Sequence, residues 1–322
     1  MKKILFLLLA CAAAMPQAQT RTARVGVLSP AAQSDAAARA QFATFTGRLR
    51  ELGYVEGSSL ALEWRFADGQ YDRLQMLAGE LVKAKVEVIV TSGTPATAAA
   101  KRATATVPIV AMSLADPVAS GFARSLDKPG GNVTGLATME SAVDEKRIEL
   151  LLEAVPGAKR IGVLVSADNA FYLRELPGLE ASAKRRGCEI VLANVHNVRD
   201  LKEGFAMLAT RRAQALLVGD DPFLNSQTSA IAGQALHYKL PSVFALARGA
   251  EAGGLFGYVN DTRQRYRSAA DYVDKILKGA KAGELPIEQP MRFDLAVNKK
   301  TAAALGLALP ESILKRASRI VE

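Results

Sequence analysis

Cysteine and histidine are almost missing from this chain. Its 322 residues hold two cysteines, Cys11 and Cys188, and two histidines, His196 and His237. A zinc-type site draws three or four ligands from those residue types at short spacing. The two histidines stand far apart and have no cysteine partner, so a His/Cys metal site is poorly supported and no metal or cofactor is expected. No Gly-x-Ser-x-Gly elbow and no phosphate-cradling Gly-rich loop ending in Gly-Lys-Ser/Thr occurs. The adjacent carboxylates Asp220 and Asp221 precede a helix, where acids cap or bind more often than they hydrolyse. With no reactive constellation in the sequence, an enzyme is not expected. No basic block with interleaved aromatics appears, which argues against a nucleic-acid partner. Beyond the N-terminus no apolar run approaches the ~20 residues needed to span a bilayer.

What is present begins with a leader. Lys2-Lys3, an apolar core over 4–10 and a small-residue zone over 12–18 form a secretory signal, assigned to residues 1–20. Cleavage near Ala14 or Ala18 predicts an exported, periplasmic protein. Leu8-Leu9-Ala10-Cys11 imitates a lipobox, and the alternative is a lipid anchor through Cys11. Either way Cys188 is left without an intramolecular partner and reads as a small buried hydrophobe. The formal charge of +9 includes Lys2 and Lys3. The remaining cations are scattered among acids, as in Lys83, Lys85 and Glu87, and read as solvated faces. Hydrophobic residues make up 49% and charged residues 23%, the proportions of an ordinary globular protein. A chain this long exceeds one usual core, so two lobes are expected.

Short apolar runs alternate with helical patterns. Strands are predicted at 25–28, 60–64, 86–91 and 108–112, with helices at 36–52, 71–83 and 95–105 between them. This alternation implies a parallel sheet covered on both faces. It restarts with a helix at 145–154 and strands at 160–165, 189–193, 215–218 and 241–245, separated by helices at 171–186, 199–210 and 222–238. Ile161-Gly162-Val163-Leu164 echoes Val25-Gly26-Val27-Leu28. A strand at 255–259 and a helix at 264–278 follow, the helix carrying Ala269, Val273, Ile276 and Leu277 on one face. The fold class is therefore α/β, two doubly wound parallel-sheet lobes with a central cleft.

Residues 116–135 link the two halves. Asp116-Pro117 follows an apolar run, Lys128-Pro129-Gly130-Gly131-Asn132 demands a tight turn, and a second apolar run ends at Thr134-Gly135. The stretch reads as strand, polar loop, short helix, turn and strand. Together with 51–57, 81–82, 86–90, 146–156 and 272–290, it closely resembles the TrpX-like group of ABC-transporter substrate-binding proteins. The resemblance covers nearly the whole chain after the leader. It implies a type I periplasmic-binding-protein fold whose lobes are joined by three crossings, expected near 138–139, 258–259 and 282–288. Lobe one is then 24–138 plus 259–282, and lobe two 139–258 plus 288–322. It also implies a monomer that delivers a small-molecule ligand to an inner-membrane ABC permease and its ATPase. An exported sensor presenting ligand to a membrane receptor is the alternative. Regulators of the LacI type share the architecture but carry a DNA-binding module before the first strand, which this chain lacks room for.

Ligands of open α/β sheets sit at the loops after the strands. In lobe one those loops offer Ser29, Ser92, Gly93, Thr94, Ser113 and Asp116; in lobe two they offer Asp168, Asn169, Asp220 and Asp221. Ser92-Gly93-Thr94-Pro95 provides hydroxyls and backbone N–H groups at a helix start, suited to a carboxylate, though plain capping by Thr94 explains the same residues. Asp116 either accepts a ligand ammonium or caps a helix beginning at Val118. Of Asp220 and Asp221, one is expected to cap and the other to face the cleft. Phe171 and Tyr172 are candidates to stack on an aromatic ligand or to join the core. Acids facing a hydroxyl-and-amide cradle suit a zwitterionic amino acid, the ligand class the resemblance implies.

Overall fold

The computed structural model of the chain describes residues 22–290 and 292–322. The leader, its cleavage positions and Cys11 lie outside the described residues. The first half runs β1 (Ala23–Ser29), α1 (Ala36–Glu51), β2 (Leu60–Phe66), α2 (Leu74–Lys83), β3 (Val88–Thr91), α3 (Thr94–Ala103), β4 (Ile109–Leu114) and β5 (Val133–Ala137). These strands make one parallel sheet in the order β2-β1-β3-β4-β5. The second half runs α4 (Glu140–Ala154), β6 (Arg160–Ser166), α5 (Ala170–Arg185), β7 (Glu189–Val195), α6 (Asp200–Thr210), β8 (Ala215–Val218), α7 (Pro222–Ser226), α8 (Thr228–His237), β9 (Ser242–Phe244), α9 (Ala247–Glu251), β10 (Phe256–Asn260), α10 (Thr262–Leu277), β11 (Phe293–Asn298), α11 (Lys299–Ala304), α12 (Glu311–Arg316) and β12 (Arg319–Val321). Its sheet has the order β12-β11-β10-β9-β8-β6-β7, parallel except between β10 and β11.

Central strands such as β3 and β8 are buried along their whole length, which is why they read as unbroken apolar runs. Each sheet has a core on both faces. One core of the first sheet gathers Phe42, Phe45 and Leu49 of α1 with Tyr266, Tyr272 and Val273 of α10; the other gathers Leu77 and Leu81 of α2 with Ala96 and Ala100 of α3. Each fully buried large apolar side chain contributes roughly 1.5–3 kcal/mol. The echo between β1 and β6 has a packing cause. A Cβ at Gly26 would lie 2.9 Å from Leu81, and one at Gly162 would lie 2.9 Å from Leu208. In each half a glycine in the first central strand lets a helix leucine seat against the sheet.

The chain passes between the sheets three times. It leaves β5 through Thr138 and Met139, the latter held at φ +54, and enters α4. It leaves β10 after Asn260, and α10 packs back against α1 and the first sheet. It then runs beside β5, where Glu288 bridges Leu136, before returning as β11. The passages touch one another: Asn260 Nδ2 donates to Thr138 O at 3.4 Å, and Gln289 Nε2 lies 3.4 Å from Met139 Sδ.

Several local expectations change. Residues 117–120 form turns and not a short helix, because Asp116 takes φ +36 and Gly121 φ +72 around Pro117. The helix expected over 222–238 breaks at Gln227 into α7 and α8. Helices α9 and α12 and strand β12 had no periodic signal of useful length. The Pro129-Gly130 turn is structural: Gly130 N donates to Gly283 O at 2.9 Å, docking it on the third passage. Cys188 is buried, with its thiol raised by desolvation.

Candidate functional site

A cavity lies between the two sheets, with about 850 Å³ of empty space including its open mouth. Nearly every side chain lining it sits just after the carboxyl end of a strand. Ser29 ends β1 and Asp35 follows it, Ser92 to Thr94 follow β3, Ser113 is one residue before the end of β4, and Thr138 follows β5. From the second sheet come Asn169 and Phe171 after β6, Asp220 and Pro222 after β8, and Leu246 and Arg248 after β9, while Thr262, Arg265 and Tyr266 come from α10, which follows β10 and packs on the first sheet. Facing strand ends therefore build one chamber from loops of both halves.

The strand order gives that chamber a polarity. Along β10-β9-β8-β6 the cavity residues are Arg265, Arg248, Asp220 and Asn169 in turn. Donors follow β10 and β9 and acceptors follow β8 and β6, with Asn225 between them, accepting from Arg248 Nη2 and donating to Asp220 Oδ1. The donors are also unsatisfied. Arg265 is 8% exposed; its Nη2 donates to Thr262 Oγ1 at 3.3 Å, while Nε and Nη1 are buried without a partner. Arg248 donates from Nη2 to Asn225 O, and its Nε is likewise buried and unpartnered. After β6 the unmet group is an acceptor, Asn169 Oδ1. Its orientation is fixed because Asn169 Nδ2 donates to Asp221 Oδ2 at 3.0 Å. Buried polar groups without partners cost folding free energy, so such a cluster marks where a ligand is to be received.

The hydroxyl-and-amide loop lies on the opposite side. Gly93, at φ +89, is the N-cap of α3, and no side chain caps that helix. Thr94 does not cap, contrary to the plain capping explanation. It is the first helical residue, and its Oγ1 accepts from Ala115 N at 3.0 Å, tying the loop after β4 to α3. Ser92 Oγ lies 3.4 Å from the Tyr266 hydroxyl, which also donates to Gln41 Oε1 at 3.1 Å. Tyr266 and Phe171 supply aromatic surface to the cavity.

Three expected contacts lie elsewhere. Asp116 does not line the cavity: its left-handed backbone aims the carboxylate at α4, where Oδ2 accepts from Ser141 Oγ at 2.8 Å and Ser141 N at 3.3 Å. Asp168 sits on the outer rim, 3.0 Å from His196 Nδ1. Asp221 is the capping member of the acidic pair, accepting from Phe223 N and Leu224 N, while Asp220 faces the cavity. Burial lifts the Asp221 carboxyl to about 6, against the pull of its hydrogen bonds. Ser29, Ser92, Gly93, Thr94, Ser113, Asn169 and Asp220 do line the cavity.

Glu140, the first residue of α4, closes part of the chamber wall. It is buried and paired with Arg147, which is 1% exposed and also bonds Asp144 and Tyr258 O. Desolvation lifts Glu140 to about 8, opposed by Arg147 and reinforced by Asp220 and Asp144. Sequence reasoning placed the loop 245–248, which carries Arg248, at the ligand-facing edge, and missed Arg265, Tyr266 and Glu140 as cavity residues.

A two-sheet α/β chain with three passages and a polar chamber between strand ends has the two-lobed architecture of solute-binding proteins. The family described as ABC transporter substrate binding protein matches residues 26–321, and the chain belongs to it. It is a binding protein and not an enzyme. It is 26% identical over 263 residues to the tyrosine-binding protein of Clostridioides difficile (strain R20291), covering 82% of this chain and 75% of that one. Its structure is similar to a domain from Streptococcus pneumonia in complex with L-Trp, with a TM-score of 0.85 and 25% identity over 93% of this chain and all 100% of that one. A conserved domain protein from Vibrio cholerae superposes with a TM-score of 0.86 at 29% identity, over 93% of this chain and 100% of that one. No helix among the described residues is long and apolar enough to cross a membrane.

Proposed function

We propose that this protein captures an aromatic α-amino acid outside the inner membrane and presents it to an ABC permease. The observation that carries the reading is the presence in one chamber of both kinds of group: buried, unmet guanidinium donors of Arg265 and Arg248, together with Asp220 and the Asn169 carbonyl. A zwitterion satisfies both kinds at once. The carboxylate takes the Arg265 donors and the uncapped start of α3, where backbone N–H groups and the helix dipole favour an anion. The ammonium takes Asp220 and Asn169. Phe171 and Tyr266 then face the side chain, in keeping with relatives that bind tyrosine and tryptophan.

The moving bodies in this reading are lobe one, 24–138 with α10, and lobe two, from α4 to β10 with the C-terminal segment. They swing about the three passages, and the ligand stabilises the closed arrangement. The working form is an exported monomer without a nucleic-acid partner. A thermal-shift screen tests the ligand class. L-tyrosine, L-tryptophan and L-phenylalanine are expected to raise Tm, since about 100 Kd of ligand adds ~2.7 kcal/mol. Tyramine, tryptamine and the deaminated acids are expected to raise it far less. Equal shifts from decarboxylated or deaminated analogues refute the zwitterion reading.

A further inference from the structure

A contact across the cleft joins the two halves, and the proposed ligand chemistry does not use it. Tyr71 stands in a short 3-10 turn after β2, in the first half. Its hydroxyl donates to Asp221 Oδ2, in the second half, at 2.8 Å. The same Oδ2 accepts from Asn169 Nδ2 at 3.0 Å, while Oδ1 accepts from Phe223 N at 2.8 Å and Leu224 N at 3.2 Å. Asp221 is 1% exposed, so these four donors replace its water.

We infer that Tyr71 is a positioning residue for closure: through Asp221 it couples the ligand-facing amide of Asn169 to the closed arrangement of the lobes. The argument follows the protons. An amide presents two N–H donors on one side and an acceptor on the other. With Nδ2 on Asp221, the Asn169 oxygen is forced toward the cavity, where it is buried and unpartnered. A ligand N–H or O–H on that oxygen removes the unmet acceptor and polarises the amide, making Nδ2 a better donor to Asp221. The chain ligand, Asn169, Asp221, Tyr71 then spans both lobes. When the lobes part, Tyr71 leaves and Asp221 must be rehydrated. Tyr71 does not line the cavity; its hydroxyl donates to Asp221 Oδ2 and accepts from Phe223 N at 3.3 Å, so it acts through Asp221 and the start of α7. The inference rests on the two-lobe closing motion and not on which ligand is bound.

Tyr71→Phe removes one oxygen and keeps the ring. Binding of L-tyrosine and L-tryptophan is followed by calorimetry and stopped flow. Loss of a hydrogen bond to a buried charge predicts Kd about ten- to a hundredfold weaker, expressed in the dissociation rate. In combination with Asn169→Ala the two effects are expected to fall short of their product, because both act through one carboxylate. An unchanged dissociation rate, or effects that multiply fully, overturns the inference. Should neither amino acid bind the wild type, the amino-acid reading fails by itself. The latch is then read from ligand-free small-angle scattering, where a more open Tyr71→Phe supports it and identical profiles sink it.

Discussion

Replacing Arg265 by Met separates binding from folding. This guanidinium is 8% exposed, holds one hydrogen bond at 3.3 Å to Thr262, and leaves Nε and Nη1 without a protein partner. An unsatisfied buried polar group costs about 1–3 kcal/mol, and a charged one more. Met has a similar reach and no donors. It would rest beside Tyr266 and Ala269 at the edge of an apolar core. The variant is therefore expected to fold at least as stably, with Tm raised by a few degrees at roughly 2–4 °C per kcal/mol. Binding moves the other way. Two charge-assisted hydrogen bonds to a carboxylate are worth about 1.5–3 kcal/mol each. Losing them costs at least ~3 kcal/mol, about two orders of magnitude in Kd. Arg265→Lys keeps the charge without the fork and should fall between. Differential scanning fluorimetry gives Tm, and calorimetry with L-tyrosine and L-tryptophan gives Kd. Affinity within twofold of wild type refutes the carboxylate assignment. A Tm lowered by many degrees shows instead that Arg265 is held for structure.

Two further outcomes follow from the same geometry. Asp220→Asn is expected to weaken amino acids by tenfold or more in calorimetry, whereas Asp116→Asn, whose carboxylate bonds Ser141 outside the cavity, should change Kd less than threefold. Stability should fall as pH rises from about 5 to 8.5. Glu140 is lifted to about 8 and Asp221 to about 6, so between their ordinary values and these the folded state holds protons that the unfolded state has released. That contribution is whole below the unfolded pKa and gone above the folded one. A thermal melt series checks it, and Glu140→Gln should flatten the upper part of the slope.

The alternation of strands and helices was legible because buried parallel strands cannot hide: β1, β3, β6 and β8 are apolar at nearly every position. Reading the site from strand ends also worked where the loop is short. Ser29, Ser92 and Ser113 lie within one residue of a strand end, and the backbone leaves them little choice of direction. Asp116 failed because direction there depends on a positive φ, which aspartate tolerates better than most residues but which residue type alone does not assign to one aspartate over another. Arg265 was overlooked for a different reason. The apolar stripe of α10 was read from Ala269 onward, yet Arg265, Ala269 and Val273 are spaced four apart and share one buried face. A lone arginine continuing an apolar stripe is a buried charge awaiting a partner, and the sequence contained that signal.

The acidic pair shows how far local rules reach when pressed. Pro222 opens α7, and proline is favoured at the first helical position because its missing N–H is not needed there. The residue before it must then be the N-cap, so Asp221 is the capping carboxylate. Asp221 has extended backbone, φ −142 and ψ 133, and neighbours in extended chain point to opposite sides. Asp220 takes the other side and faces the chamber, where it accepts from Asn225 Nδ2 of α7 at 2.8 Å. One proline thus sorts two adjacent aspartates into different duties: one holds a helix and takes the Tyr71 hydroxyl, the other faces the ligand. The first of those duties depends on the opposite lobe. The Tyr71 contact joins positions 150 residues apart, and only packing could bring that hydroxyl to the carboxylate.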